Sequence, residues 1–376
     1  MKNDRSRVLV VFGTRPEAVK LCPLILELSN RFDVEVCVTG QHREMLYQVL
    51  RNFEIEPTYD LELMTTGQTL NSLLSKVISG IGDILNKRQY DLVIVQGDTA
   101  SALGGGIAAF NEGIKIAHIE AGLRTGDLFS PFPEEANRIL IGRIATYHMA
   151  PTVTNKQNLL DEGVRYDKVA ITGNTVIDAL MFTIKKQSQK KFSPSELNFI
   201  KKYSRTVLVT AHRRENLGPN LINICKAIET AAMENIDIGF VYPVHKNPKV
   251  RGIVFEILGD INNVHLIEPL DYESFVFLMN RCYFIVTDSG GVQEEAPAIN
   301  KPVLVIRKET ERQEGVEAGC LRLVGVEKHA ILDGIRTLLC DPLEYELMST
   351  SKNPYGNGTS SKKISEFITN ELQSNN

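Results

Sequence analysis

RVLVVFGTRPEAVKLCPLILEL, residues 7–28, is the stretch that decides the fold. Arg7–Phe12 is a short run of apolar, mostly β-branched residues, and Ala18–Leu28 has amphipathic spacing. A run that is apolar throughout is typical of a parallel strand buried on both faces. The stretch therefore predicts one strand followed by one crossover helix, the repeating unit of an open parallel α/β sheet.

The same alternation continues through the rest of the chain. Further strands are predicted at Val34–Thr39, Asp91–Gln96, Lys115–Ile119, Lys168–Thr172, Arg205–Thr210, Asp237–Tyr242, Val264–Ile267, Tyr283–Thr287 and Pro302–Ile306. Helices are predicted between them, for example at Glu44–Leu50 and Leu70–Leu85. Because the pattern restarts after the polar stretch Lys185–Lys202, we expect two α/β domains. That stretch is interpreted as a solvated helix or loop, with nucleic-acid contact as the alternative.

Composition and charge restrict the class of protein. The chain has 376 residues, of which 43% are hydrophobic and 23% charged, as in soluble globular proteins. Its formal charge of -4 provides no global basic field, so neither nucleic acid nor a membrane surface is expected as a partner. The apolar runs are shorter than a signal peptide or a membrane span of about eighteen residues requires. We therefore expect a cytoplasmic protein.

Sequence motifs for metals and common cofactors are missing. Six cysteines are scattered along the chain, at Cys22, Cys37, Cys225, Cys282, Cys320 and Cys340. They form no C-x-x-C pair, and no His cluster has zinc-ligand spacing, so we expect reduced thiols and no metal. The chain also lacks a G-x-G-x-x-G after a strand, a Walker A sequence and a G-x-S-x-G elbow. No bound cofactor is predicted.

Polar residues follow the predicted strands of both halves. Ligands of open parallel sheets bind beyond the carboxyl ends of the strands, so these residues are informative. In the first half they are Gly13–Glu17 with Lys20 one turn later, Gly97–Thr99 and Glu120–Arg124. In the second half they are His212–Asn216, Pro243–His245 and Asp288–Gly291. Ionisable groups are thus expected at the mouth of each sheet.

The segment Asp288–Gly291 has the composition of a glycine turn that opens a helix. Backbone N–H groups and a hydroxyl at a helix N-terminus can hold a diphosphate, although Ser289 as an ordinary N-cap is the alternative. Glu295, in the following helix, could take both hydroxyls of a ribose. Arg15 is a candidate second phosphate clamp, and a surface ion pair is its plainer interpretation.

Four residues are candidates for proton transfer. They are Asp98, Glu120, Glu134 and His212. Carboxylates and an imidazole that face one site push their pKa values apart, which separates acid from base. Each also has a plain structural interpretation, as a cap, a first-turn acid or a loop residue. Their joint placement at strand ends favours the catalytic interpretation.

Seven motifs together resemble the non-hydrolysing bacterial UDP-N-acetylglucosamine 2-epimerases. They are GTRPEA (13–18), QHREML (41–46), GDT (97–99), HIEAGLR (118–124), PEEANR (133–138), GNTVID (173–178) and DSGG (288–291). The resemblance extends from about Val8 to Asn357. It implies an α/β fold of glycosyltransferase-B type, with two Rossmann-like domains facing a cleft. The implied domains are residues 1–171, on which a C-terminal helix at 355–376 packs back, and a UDP-binding domain at 172–354. A homodimer is also implied.

The resemblance implies roles for individual residues. UDP-N-acetylglucosamine and UDP would be held by Ser289, Gly290, Gly291, Glu295, Arg15, Arg312 and His212. The catalytic carboxylates would be Asp98, Glu120 and Glu134, supported by Lys20 and Arg138. A second, activating UDP-N-acetylglucosamine would contact Gln41, His42, Arg214 and His245. Two positions depart from the family pattern: Gln313 replaces a usual proline, and Phe132 a common tryptophan.

The chemistry fits an epimerase that uses no nicotinamide. C2 of an N-acetylhexosamine is not next to a carbonyl, so simple enolisation is unavailable. Loss of UDP from C1 with the C2 proton gives a 2-acetamidoglucal, and re-addition on the other face gives UDP-N-acetylmannosamine for surface polysaccharides. Such a route needs a diphosphate clamp and acid or base groups on both faces. A hydrolysing 2-epimerase, a UDP-sugar glycosyltransferase and a catalytically silent nucleotide-sugar sensor are the alternatives.

Overall fold

The structure is a computed structural model that describes residues 5–40, 43–65 and 67–373. Strands of the first sheet are β1 (Arg7–Phe12), β2 (Asp33–Val38), β3 (Tyr59–Asp60), β4 (Leu92–Gln96), β5 (Lys115–Ile119), β6 (Tyr147–Ala150) and β7 (Val169–Ile171). Strands of the second sheet are β8 (Arg205–Thr210), β9 (Ile238–Pro243), β10 (Val264–Ile267), β11 (Phe284–Thr287), β12 (Val303–Val305) and β13 (Leu321–Leu323). The pairing is parallel in both sheets.

Helices connect successive strands. Those before β8 are α1 (Arg15–Leu28), α2 (Arg43–Asn52), α3 (Leu70–Lys87), α4 (Ala100–Asn111), α5 (Glu134–Ile144), α6 (Val153–Asp161) and α7 (Thr175–Lys190). Those after β8 are α8 (Pro219–Glu234), α9 (Pro248–Leu258), α10 (Tyr272–Arg281), α11 (Gly290–Glu295), α12 (Gln313–Glu317), α13 (Lys328–Cys340), α14 (Pro342–Thr350) and α15 (Ser360–Gln373). They cover central strands such as β1, β4 and β8, whose side chains are buried almost throughout, as is typical of parallel strands.

Both sheets are doubly wound. The first has the order β3-β2-β1-β4-β5-β6-β7 and the second the order β10-β9-β8-β11-β12-β13. The strand order therefore reverses between β1 and β4, and again between β8 and β11. Loops diverge at such a reversal and leave a crevice at the carboxyl ends of the two strands. Polar residues that the sequence singles out follow the strands at both positions, namely Gly13–Glu17 and Gly97–Thr99 in the first sheet, and His212–Asn216 and Asp288–Gly291 in the second.

The chain divides into two compact units. Unit 1 comprises Met1–Ala179 and Tyr355–Asn376, and unit 2 comprises Leu180–Pro354. The division falls at 179/180, whereas the sequence places it at 171/172. Residues 172–179 belong with unit 1 because Asn174 N–H donates to Tyr355 O (2.7 Å) and Asp178 accepts from Ser361 N–H (2.8 Å). In unit 1, α15 packs against α1.

The predicted α/β class with two parallel sheets is confirmed. Three strands were not predicted, namely β3, β6 and β13, which have two, four and three residues. The polar stretch Lys185–Lys202 contains the end of α7 and a 3-10 helix, Ser195–Lys202, whose Leu197 and Ile200 are buried. Within the described residues, every helix is too short or too polar to cross a membrane.

Candidate active site

A buried carboxylate joins two strand-end loops in unit 1. The carboxylate of Glu17, in the first turn of α1, accepts from the backbone N–H groups of Gly13 (3.1 Å) and Thr14 (2.8 Å). Its other oxygen accepts from the hydroxyl of Thr99, which follows β4, at 2.6 Å. Burial raises the pKa of Glu17, although these hydrogen bonds oppose the shift. Glu17 thereby holds the loops after β1 and β4 together.

Glu120 follows β5 with its backbone in the left-handed region, at a φ of 62°. That conformation is uncommon for a residue with a side chain and costs about 1 kcal/mol or more. The Glu120 carboxylate accepts hydrogen bonds from Lys20 Nζ on α1 and from the side-chain amide of Gln96. Gln96 was missed by the sequence analysis, although a polar residue that ends an apolar strand was an available signal. These contacts hold Glu120 at the carboxyl edge of the sheet.

Asp98 follows the neighbouring strand and pairs with a different cation. Arg138 NH2 donates to Asp98 Oδ2 at 2.5 Å, and Arg138 NH1 donates to the fully buried Glu135 at 3.1 Å. The side-chain amide of Asn137 donates to the backbone carbonyl of Asp98 at 2.7 Å. Desolvation raises the pKa of Asp98; Arg138 opposes this shift, and the charge of Glu120 adds to it. The environment therefore favours a proton on Asp98 more than water does.

The remaining predicted residues of unit 1 are placed by their helices. Glu134 is the first residue of α5 and lies four residues before Arg138, so both occupy one face of that helix. Glu134 is half-buried, and its side chain makes no hydrogen bond or ion pair within the described part of the chain. Arg15 is the first residue of α1 and is also half-buried. Among the residues predicted for unit 1, direct contacts join Lys20 to Glu120 and Arg138 to Asp98.

A buried histidine stands behind this site. His118 Nε2 lies 2.7 Å from the carbonyl oxygen of Gly97, which requires the imidazole to donate. Burial lowers the pKa of His118 to about 3, so the ring is neutral and carries its proton on Nε2. His118 therefore supports the turn that precedes Asp98. The sequence analysis did not select it, and a lone polar residue within an apolar strand was the signal.

In unit 2 a second buried carboxylate organises the strand ends. Asp288 follows β11 and is fully buried. Its Oδ2 accepts from the backbone N–H groups of His212 and Arg213, both at 2.8 Å, and from Asn216 Nδ2 at 3.0 Å. Desolvation lowers the pKa of His212, while Asp288 acts in the opposite direction. Asp288 ties the loop after β8 to the loop after β11.

The helix that follows Asp288 begins without a side-chain cap. Ser289 occupies the N-cap position of α11, but its hydroxyl accepts no hydrogen bond from the first turn. The ordinary capping role considered for Ser289 is therefore not observed. A Cβ atom added to Gly290 would lie 3.1 Å from Arg312 Cζ and 3.4 Å from Arg213 NH2. Two guanidinium groups thus lie against the backbone of Gly290, next to helix N–H groups, and an anion would be stabilised here.

Two adjacent glutamates of α11 have different partners. Glu294 is buried and accepts from Arg312 Nε at 2.9 Å, which positions that guanidinium. Glu295 is also buried and accepts from the hydroxyl of Tyr272 at 3.0 Å. At the position where the family pattern has proline, the Gln313 side chain donates to the carbonyl of Thr310 at 2.9 Å. That bond closes the turn from Thr310 to Gln313, which contains Arg312, without a proline.

The residues predicted for a second nucleotide site are partly described. His245 stacks on His212 with ring centroids 5.3 Å apart and an interplanar angle of 6°. Arg214 is exposed and begins a 3-10 helix, Arg214–Asn216. Gln41 and His42 lie outside the described residues. The stack brings a residue predicted for the second site into contact with one predicted for the active site.

Phe132, the aromatic residue that replaces tryptophan, is exposed and stacks on Phe129, with ring centroids 6.2 Å apart.

In residues 5–40, 43–65 and 67–373, no three His, Cys, Asp or Glu side chains are grouped so that they could hold a metal ion.

Comparison with known proteins gives concordant results. The sequence model of the UDP-N-acetylglucosamine 2-epimerase family matches residues 25–369. A probable UDP-N-acetylglucosamine 2-epimerase of Ralstonia nicotianae is 50% identical over 370 residues, which cover 96% of this chain and 98% of that protein. The Neisseria meningitidis UDP-GlcNAc 2-epimerase, crystallised with UDP-GlcNAc, superposes with a TM-score of 0.90 at 47% identity, covering 97% of this chain and 100% of that one.

A more distant structure has the same fold. The Methanocaldococcus jannaschii UDP-GlcNAc 2-epimerase, in complex with UDP-GlcNAc and UDP, superposes with a TM-score of 0.80 at 32% identity. The alignment covers 97% of this chain and 99% of that one. Two doubly wound sheets, each with ionisable residues at its strand reversal, define the class as an α/β protein with strand-end sites. The chain belongs to the UDP-N-acetylglucosamine 2-epimerase family, and the predicted resemblance is confirmed.

Proposed function

We propose that this protein interconverts UDP-N-acetylglucosamine and UDP-N-acetylmannosamine without releasing the free sugar. The observation that carries the proposal is the pair of carboxylates at neighbouring strand ends, each with its own cation. Glu120 is paired with Lys20, and Asp98 is paired with Arg138. Family membership supports the substrate class. The proposal makes unit 1 the catalytic domain and unit 2 the UDP-binding domain.

The nucleotide is assigned to the second unit. Backbone N–H groups of Gly290 and Gly291, with the Ser289 hydroxyl, would hold the diphosphate. Arg312 lies against Gly290 and is held by Glu294, which supports a clamp of fixed geometry. Glu295 would accept from the ribose hydroxyls, while His212 would complete the phosphate contacts.

The reaction proceeds in two reversible halves. A carboxylate removes the proton from C2, the C1–O bond breaks, and its electron pair leaves with UDP, which gives 2-acetamidoglucal. A protonated carboxyl then returns a proton to the other face of C2, and a UDP oxygen attacks C1. Asp98, Glu120 and Glu134 share these acid and base roles. The raised pKa of Asp98 supports a group that holds a proton more readily than an ordinary aspartate does.

Regulation and context complete the proposal. A second UDP-N-acetylglucosamine would bind at Arg214 and His245 and activate the enzyme. The contact between His245 and His212 supports a link from that site to the active site. We further propose a homodimer that supplies surface polysaccharide synthesis in the cytoplasm. The unpaired state of all six cysteines is typical of a reducing compartment.

Proton NMR in deuterated water tests the reaction. The purified protein is incubated with UDP-N-acetylglucosamine and no added nicotinamide, and C2 of the sugar is followed. Deuterium at C2 together with UDP-N-acetylmannosamine is expected. Free N-acetylmannosamine with UDP would instead identify a hydrolysing enzyme, and absence of exchange would favour a transferase or a sensor.

Paired variants make this experiment specific. Asp98→Asn should abolish turnover while UDP still binds to unit 2. Asp167→Asn is the matched control, because Asp167 also pairs with an arginine of unit 1, Arg165 at 2.8 Å, but on the surface. Full activity of the Asp98 variant would remove that residue from the mechanism.

Activation by substrate is tested by the dependence of rate on UDP-N-acetylglucosamine concentration. We expect a sigmoidal curve for the wild type, since a second molecule must bind first. Arg214→Ala should remove the sigmoidal shape, and Arg281→Ala, an exposed arginine elsewhere in unit 2, should retain it. A hyperbolic wild-type curve would refute the activating site.

A further inference from the structure

Asp288 is the most enclosed charged group at the second strand reversal. It is fully buried, and one carboxylate oxygen, Oδ2, accepts from the N–H groups of His212 and Arg213 and from Asn216 Nδ2. Three donors to one oxygen fix the loop after β8 with respect to β11. The other oxygen, Oδ1, is buried and has no hydrogen-bond partner among the residues that the structure describes. A buried carboxylate oxygen without a donor is costly unless another group compensates it.

An imidazole lies close to that oxygen. His212 Nδ1 lies 3.7 Å from Asp288 Oδ1, slightly beyond hydrogen-bond length. Hydrogen bonds of this kind are often long before substrate binds and shorten in the complex. A proton on Nδ1 would point at the carboxylate, which would leave Nε2 as the exchanging atom.

Other charged or titratable groups face His212 as well. The ring of His245, after β9, stacks on one side, and Arg213 is adjacent in the same loop. Both disfavour a positive imidazole, whereas Asp288 favours it. Among Asp288, His245 and Arg213, Asp288 alone therefore stabilises the positively charged form of His212.

We propose that Asp288 is a positioning residue for the epimerisation. It holds the loop of His212 and Arg213 in place and keeps a proton on His212 Nδ1, so that Nε2 faces the diphosphate. This inference rests on the proposed function. When the C1–O bond breaks, the imidazolium donates its Nε2 proton toward the leaving oxygen, and in re-addition that proton returns. Asp288 exchanges no proton with the substrate.

The variant Asp288→Asn separates the two parts of this role. An asparagine oxygen can still accept from the three loop donors, but the negative charge next to His212 is gone. Because the imidazolium is the active form, activity falls as pH rises through the His212 pKa. In the variant this fall should shift to lower pH, with turnover reduced at least about tenfold at pH 7.5 and approaching wild type in acid. A purely structural defect would reduce turnover equally at every pH.

Two further measurements keep the inference testable. Histidine NMR of the free protein should give His212 a lower pKa in the Asp288 variant than in the wild type. In a His212→Gln background, Asp288→Asn should cause no additional loss of turnover, because the two residues act through one proton. Asp341→Asn, at another carboxylate of unit 2 that accepts backbone N–H groups, is the control for charge loss.

The outcomes distinguish the two hypotheses. An inactive wild-type enzyme would overturn the proposed function while the His212 titration remained informative. An active wild type whose pH profile and His212 titration are unchanged by Asp288→Asn would overturn the role of Asp288. Additive losses in the double variant would also overturn it.

Discussion

Lys20 and Glu120, one hundred residues apart in sequence, form an ion pair at the carboxyl edge of the first sheet. Lys20 lies on the second turn of α1, and Glu120 follows β5 with a left-handed backbone. The strand order β1-β4-β5 brings them together, and Gln96 at the end of β4 donates to the same carboxylate. A carboxylate with a strained backbone and two donors is held in one orientation, as an acid or base in a reaction requires.

Glu120→Gln should reduce turnover by at least about 100-fold, because the amide retains the size of the side chain but cannot take up a proton. UDP affinity, measured by calorimetry, should change by less than about threefold, since the nucleotide is assigned to unit 2. Glu371→Gln is the matched control. Glu371, on α15, also pairs with a lysine of unit 1, since its carboxylate lies 2.6 Å from Lys168 Nζ. Equal turnover of the two variants would exclude Glu120 from proton transfer.

Gly290→Ala should weaken UDP binding by about tenfold or more. The added methyl would lie 3.1 Å from Arg312 Cζ and 3.4 Å from Arg213 NH2, so at least one guanidinium must shift. Gly252→Ala, in α9 of the same unit, is the control because a Cβ there meets nothing within 4 Å. Calorimetric titration with UDP measures both. Unchanged affinity for Gly290→Ala would show that the diphosphate binds elsewhere.

Glu311→Gln should destabilise unit 2 at neutral pH but not in acid. Burial alone would raise the pKa of Glu311, but Arg307, a backbone hydrogen bond and Arg312 together lower it to about 2. This value lies below the ordinary 4.5, so ionised Glu311 stabilises the fold above pH 4.5, and the contribution disappears as pH falls toward 2. The variant should lose about 1 to 3 kcal/mol of unfolding free energy at pH 7.

Urea unfolding of the Glu311 variant at pH 7, 5 and 3 measures this dependence. The difference from wild type should be full at pH 7 and should shrink at pH 3. Glu309→Gln, two residues away and exposed, should leave the unfolding free energy within about 0.5 kcal/mol at every pH. A difference that is constant with pH would mean that the Arg307 pair does not cause the stabilisation.

Tyr272→Phe should weaken UDP binding by about three- to tenfold and leave turnover at saturation nearly unchanged. The substitution removes the hydroxyl that donates to Glu295 Oε1 at 3.0 Å and leaves a buried carboxylate that is less firmly oriented. Tyr166→Phe, an exposed tyrosine of unit 1, is the control. If the dissociation constant for UDP is unaltered by Tyr272→Phe, the proposed ribose contact of Glu295 is wrong.

The sequence was most informative where structure is local. The predicted bounds are found at Arg7–Phe12, Lys115–Ile119 and Arg205–Thr210, because a strand buried on both faces is apolar at nearly every position. Val264–Ile267 also has the predicted bounds, although only Val264 of its four residues is buried. β6, Tyr147–Ala150, was missed, since four residues that include His148 have no such signal and its pairing with β5 makes it a strand. The strand-end rule located Asp98, Glu120 and Asp288, together with Lys20 and His212–Asn216, but not which of these residues contact one another.

The amino-acid sequence by itself determined the α/β class, the two sheets, the polar strand ends and the family, because periodicity and motifs are properties of neighbouring residues. Only the tertiary structure decided which cation each carboxylate meets, that Glu120 adopts a left-handed backbone, and that His212 stacks on His245. These features depend on which strands lie next to each other. Strand order arises from contacts between segments far apart in the chain, and no local pattern encodes it.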